Sequence, residues 1–209
     1  MQPACEIELA GIYFQERDFT RLRSEVTHLL PVLRRERFRA ATARAYWLQS
    51  LLVMLEGRLA DSATPARMAR EEFEAVGEWP SAARMWSLES DAEYWSGRYQ
   101  QSWRLRARAL DLAAQSQDPY ASFVVLSAVS GVLLNEQLPG PAGVFAQAST
   151  IHHGQPVPPL MQLYPLHRGL LAAVEAGDLD LARRMRTQIE RITATHTADR
   201  RLQGMQTDI

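Results

Sequence analysis

The chain has 209 residues, 46 % of them apolar and 22 % charged, proportions usual for a globular fold. A net charge of −1 gives the whole molecule no electrostatic reason to seek nucleic acid or an acidic membrane surface. One cysteine, Cys5, excludes an internal disulfide, and no apolar stretch approaches a membrane span. The opening Met-Gln-Pro-Ala-Cys-Glu lacks the basic and apolar segments of a secretory signal, so the expected location is cytoplasmic. All 23 cationic side chains are Arg, a residue suited to planar, bidentate recognition of carboxylates.

Helix formers dominate, while Val, Ile and Thr are sparse, which favours helix over sheet. Five turn-like segments begin forty residues apart: Glu16-Arg17-Asp18, Glu56-Gly57-Arg58, Ser96-Gly97-Arg98, Glu136-Gln137-Leu138 and Ala176-Gly177-Asp178. Three carry a central Gly, which tolerates the left-handed backbone of a helix end. Each turn divides a first helix from a second that folds back. In chain order the predicted helices are 3–15, 18–35, 38–56, 65–76, 80–96, 99–116, 120–136, 140–150, 159–176 and 178–194. Thr64-Pro65 reads as an N-cap followed by a first-turn proline. Trp79-Pro80 and Asp118-Pro119 mark chain reversals, and Gln155-Pro156-Val157-Pro158-Pro159 reads as a stiff spacer. Leu138-Pro139-Gly140-Pro141-Ala142-Gly143 predicts a short second helix in the fourth unit.

Columns aligned on the turns agree with this register. Six residues before each turn stand Ala10, Ser50, Ser90, Ser130 and Leu170, mostly small. Three after it stand Phe19, Leu59, Tyr99, Pro139 and Leu179. Leu22, Ser62, Ser102, Ala142 and Ala182 follow at six, and Leu29, Ala69, Ala109, Ser149 and Ile189 at thirteen. The last two columns are seven apart, so they share one face of the second helix.

This pattern resembles the tetratricopeptide repeat. It is carried best by the third unit, from Trp86 through Ser90, Gly97, Tyr99 and Ser102 to Ala109, and extends over residues 4 to 193. The period exceeds the usual length of about 34 residues. It is similar to that of the helical sensor regions of bacterial transcription activators and of kinesin-light-chain-like arrays. The resemblance implies an all-α, right-handed α-solenoid of about five antiparallel helix pairs, with a concave groove lined by the first helices. One domain is expected over 1–193, with units 3–37, 38–78, 79–118, 119–157 and 158–193; residues 194–209 read as a polar tail or partial capping helix.

Carried over by register, the resemblance assigns to the groove Arg44, Trp47, Leu51 and Met54 from the second unit, and Arg84, Ser87, Asp91 and Tyr94 from the third. Ile7, Phe14, Ser127, Gly131 and Leu134 join them, with Tyr164, His167 and Leu171 from the fifth. Trp, Tyr and Arg often dominate binding energy, which singles out the second and third units. Trp79, Trp86, Trp95 and Trp103 are expected as buried ridges between helices, and Arg104, Arg106 and Arg108 as a solvated outer face.

Nothing in the sequence suggests catalysis: there is no Gly-rich phosphate loop, no HExxH and no nucleophile elbow. Glu89, Asp91 and Glu93 alternate along one helix and do not converge on one site. His152-His153 lacks ligand-spaced neighbours, so neither metal nor cofactor is expected. The expected function is a non-catalytic scaffold whose groove holds a protein or peptide with acidic and apolar residues. The alternative is a regulatory sensor module that binds a small molecule or signal peptide and acts on an effector such as a transcription regulator. The apolar first helix, with Ile7, Leu9, Ile12 and Phe14, also allows a homo-oligomer through an uncapped solenoid end.

Overall fold

The computed structural model describes residues 3–150 and 159–195. The proline-rich connector before Pro159, the His152-His153 pair and residues 196–209 of the expected tail lie outside them. Ten α-helices follow one another among the described residues: α1 (Pro3–Gln15), α2 (Phe19–Arg35), α3 (Arg39–Leu55), α4 (Ala63–Ala75), α5 (Trp79–Trp95), α6 (Tyr99–Ser116), α7 (Pro119–Asn135), α8 (Pro139–Ala148), α9 (Pro159–Glu175) and α10 (Leu179–Thr195). They fall into two compact units, 1–117 and 118–209.

Helix ends set the repeat. Arg17, Arg37, Gly57, Gly77, Gly97, Gln117, Gln137 and Gly177 all have positive φ, between 51° and 76°. The left-handed residue thus recurs every twenty residues, so the forty-residue period is two copies of a helix and its turn. The residue after it commonly donates back into the last turn, as Asp18 does to the Tyr13 carbonyl (2.9 Å) and Arg98 to that of Glu93 (3.0 Å). This pairing satisfies carbonyls that the helix end would leave open.

In the first unit each of α1 to α5 packs on the helix that follows it. Its core joins Ile7, Leu22, Leu29 and Leu33 to Leu48 and Leu52, and continues through Tyr46, Phe73 and Met85. In the second unit α7 packs on α8 and α9, and α9 on α10, around Leu163, Leu166, Met185 and Ile189. The small-residue columns do what their size allows. Ser50, Ser90 and Ser130 are fully buried. The Ser50 hydroxyl donates to the carbonyl of Ser62, just before α4 (3.0 Å), and the Ser130 hydroxyl to that of Ala142 in α8 (2.9 Å). A larger side chain would push these helices apart.

Three expectations need correction. Thr64 is not the cap of α4: a 3-10 turn over Leu59–Ser62 leads directly into Ala63. The Ser62 hydroxyl on the Leu59 carbonyl (2.6 Å) and the Arg58–Asp61 pair (2.9 Å) hold this earlier start. Of the four tryptophans expected as buried ridges, Trp79, Trp95 and Trp103 are exposed and only Trp86 is partly buried. Finally, Arg106 is fully buried while Arg104 and Arg108 are exposed. Arg104 and Arg108, four residues apart, share the exposed face, whereas Arg106, two residues from each, points to the opposite, buried side.

Candidate interaction surface

The first helices of the first unit are α1, α3 and α5. Arg44, Trp47, Leu51 and Met54 recur on α3 at helical spacing, and all four are partly exposed. Polar contacts tie this strip to both neighbouring first helices. Arg44 forms an ion pair with Glu8 of α1. The Arg84 guanidinium of α5 lies 5.3 Å from the centre of the Trp47 ring and donates to the Ser81 hydroxyl (3.0 Å). The inner edge of Trp47 packs against the cluster around Tyr46, Phe73 and Met85, which orients the indole.

The other assigned positions of α5 differ in exposure. Ser87 is 1 % exposed and Tyr94 8 %, its ring meeting Trp95 and Tyr99 edge-on at 5.4 and 5.3 Å. Asp91 is partly exposed and accepts from Arg106 (2.9 Å). On α1, Ile7 is buried in the core and Phe14 packs edge-on with Phe19. The strip brought together in this unit is therefore Glu8, Arg44, Trp47, Leu51, Met54 and Arg84.

The second unit has its own first-helix face. Tyr164 of α9 is exposed and meets Phe123 of α7 edge-on (6.3 Å). Arg168 lies over the Tyr164 ring (5.2 Å) and donates to its hydroxyl (2.9 Å). Gly131 gives the Arg168 guanidinium room, since a Cβ there would come within 2.5 Å of it. His167 is partly buried, which lowers its pKa, and Leu171 is exposed. Ser127 and Gly131 are buried, and Leu134 is partly exposed.

A polar network between α4 and α5 was not legible in the sequence. Arg70 donates to Glu89 (2.9 Å) and Glu74 (3.3 Å) and stacks over Trp86 (4.0 Å), whose indole N–H donates to Glu74 (2.7 Å). Burial raises the pKa of Glu89, opposed by the bond from Arg70. Glu89, Asp91 and Glu93 pair respectively with Arg70, Arg106 and Arg98, so these carboxylates hold three separate contacts. Among the described residues no group of His, Cys, Asp and Glu could hold a metal ion, and no helix is long and apolar enough to cross a membrane.

No described protein family matches the sequence, nor does any curated protein. Solved structures do resemble the fold. BtubC (BKLC) from P. vanneervenii superposes with a TM-score of 0.64 at 17 % identity, over 91 % of this chain and 79 % of that one. A chain from Podosopora anserina, described as a kinesin light chain with nearly identical TPR-like repeats, gives 0.63 at 15 % identity, over 95 % of this chain and 100 % of that one. The structural neighbours are kinesin-light-chain-like tetratricopeptide-repeat proteins, and this chain shares their all-α, TPR-like helical repeat fold.

Proposed function

We propose that the chain is a non-catalytic protein-interaction module, and that its binding surface is the first-helix face of α3 and α5. The observation that carries this reading is the strip Arg44, Trp47, Leu51 and Met54, with Arg84 set against the Trp47 ring. A large aromatic ring packed on the core, with Arg84 set against it and Arg44 one turn before it on α3, has the make-up of an energetic hot spot. The TPR-like fold supports an interaction role in general terms. The ligand is an extended or helical segment with apolar residues for Trp47, Leu51 and Met54 and carboxylates for Arg44 and Arg84. Cytoplasmic location and the absence of a cofactor belong to this reading.

Panning a random peptide library against the full chain tests it. Enriched peptides should combine acidic and apolar residues, and should bind the Trp47→Ala variant at least about tenfold more weakly. Peptides that bind Trp47→Ala and the Arg44→Gln/Arg84→Gln pair as tightly as the parent would sink the proposal.

A second reading, a sensor module for a small molecule, is favoured by a cleft of about 580 Å³ in the second unit. Val144, Leu166, Leu181 and Met185 line it, with Arg184 and Gln188 as polar groups. Its size suits a small ligand. Ligand-induced thermal stabilisation that Leu181→Ser removes, with the α3 strip left intact, would select this reading over the first.

A further inference from the structure

The boundary between α2 and α3 reads Arg34-Arg35-Glu36-Arg37-Phe38-Arg39. Arg34, Arg37 and Arg39 line a single cleft of about 370 Å³, with Thr42 and Glu72 completing its wall. Three arginines and one glutamate among the lining residues give the cleft a net positive charge of two. Arg39 Nε lies 3.5 Å from Glu72 Oε2, an ion pair without a hydrogen bond, and Arg35 turns to Glu36 (3.3 Å). Arg34 and Arg37 are exposed and pair with no carboxylate among the described residues.

The repeat does not require this charge. One period later the equivalent positions are Glu74, Gly77 and Trp79. Gly77 takes φ 76°, a conformation glycine adopts without strain, whereas Arg37 holds the same left-handed region at φ 59°. An arginine here gives the backbone nothing that glycine would not supply better. Phe38 offers α3 no side-chain cap, so the positive end of the helix dipole adds to the same field.

We propose that this cleft binds a doubly charged phosphate monoester, held between the guanidiniums of Arg34 and Arg37, with Arg39 and the Thr42 hydroxyl completing the site. Two unengaged planar forks match a tetrahedral dianion, whereas a single carboxylate would satisfy one and leave the other. The volume exceeds a phosphate group, so the rest of the ester can enter with it. This site is separate from the first-helix strip and does not depend on that reading.

Titration of the full chain with O-phosphoserine and inorganic phosphate at low salt, followed by 31P NMR, tests it. Both ligands should saturate, and Arg34→Gln or Arg37→Gly should each weaken binding about tenfold or more. Arg37→Gly should do so without lowering Tm, because glycine fits the backbone there, which separates lost binding from lost folding. Arg23→Gln, removing an α2 arginine that pairs instead with Glu56, should leave affinity unchanged. A phosphoserine peptide binding tighter than free O-phosphoserine assigns the site to a phosphorylated protein, and a sugar phosphate binding tighter assigns it to a small ligand. Absence of saturation, unchanged affinity in both cleft variants, or equal binding of the unphosphorylated peptide would overturn the proposal.

Discussion

The guanidinium of Arg84 stands 5.3 Å from the centre of the Trp47 ring and so joins α5 to α3. A cation over an aromatic face at a partly exposed site contributes about 0.5–1 kcal/mol. Trp47→Ala should lower stability by about 1–3 kcal/mol, because only the inner edge of the ring is buried, and should leave helicity unchanged. Arg84→Gln should cost less. Urea denaturation of both single variants and the double variant should give a coupling near the cation–ring value. A coupling indistinguishable from zero would mean that the two groups are merely adjacent.

Two buried glycines of the second unit should respond differently to alanine. At Gly131 the new Cβ meets the Arg168 guanidinium, the far end of a flexible side chain. The loss of the Arg168–Tyr164 contact is then offset by the better helix propensity of Ala, leaving a net change within about 1 kcal/mol. At Gly169 the Cβ would lie 2.5 Å from Cε and 2.6 Å from Sδ of Met185, a buried core residue. Repacking there should cost about 1–3 kcal/mol. Equal thermal shifts for Gly131→Ala and Gly169→Ala would contradict this account.

The fully buried Arg106 is held by Asp91 (2.9 Å) and lies 5.5 Å from the Trp103 ring centre. Arg106→Ala opens a void and takes a partner from the partly exposed Asp91, offset by the removal of two buried guanidinium nitrogens that have no hydrogen-bond partner, for an expected loss of about 1–3 kcal/mol. Arg104→Ala and Arg108→Ala, on the exposed side of the same helix, should stay within about 0.5 kcal/mol. The denaturant midpoints of the three variants make the comparison.

Glu89 and His167 give opposite pH signatures. Burial raises the Glu89 pKa in the folded state, so folding favours its protonated form. Its contribution therefore falls as pH rises above the ordinary value of 4.5, and Glu89→Gln should gain stability relative to the parent over that rise. Burial lowers the His167 pKa, so the folded state favours the neutral imidazole. Stability is then lost as pH falls below 6.5, and His167→Gln should remove that part of the acid sensitivity. Difference curves of unfolding free energy between pH 4 and 8, taken against the parent, should slope upward for Glu89→Gln with rising pH and upward for His167→Gln with falling pH.

The sequence by itself determined the helices and their register. Gly57, Gly97 and Gly177 marked helix ends because a left-handed backbone costs glycine little, and Ser50, Ser90 and Ser130 marked close approach because only small side chains fit. Both signals are local and survive in a list of residues. The strip Arg44, Trp47, Leu51 and Met54 was likewise readable as one helical face. Which polar groups met across helices was decided by the tertiary structure alone. The Arg70 network, the seating of Arg84 on Trp47, the burial of Arg106 and the convergence of Arg34, Arg37 and Arg39 on one cleft each depend on how neighbouring helices are rotated and spaced. Long, flexible arginine side chains can reach several partners, so residue spacing along the chain does not fix the one they take.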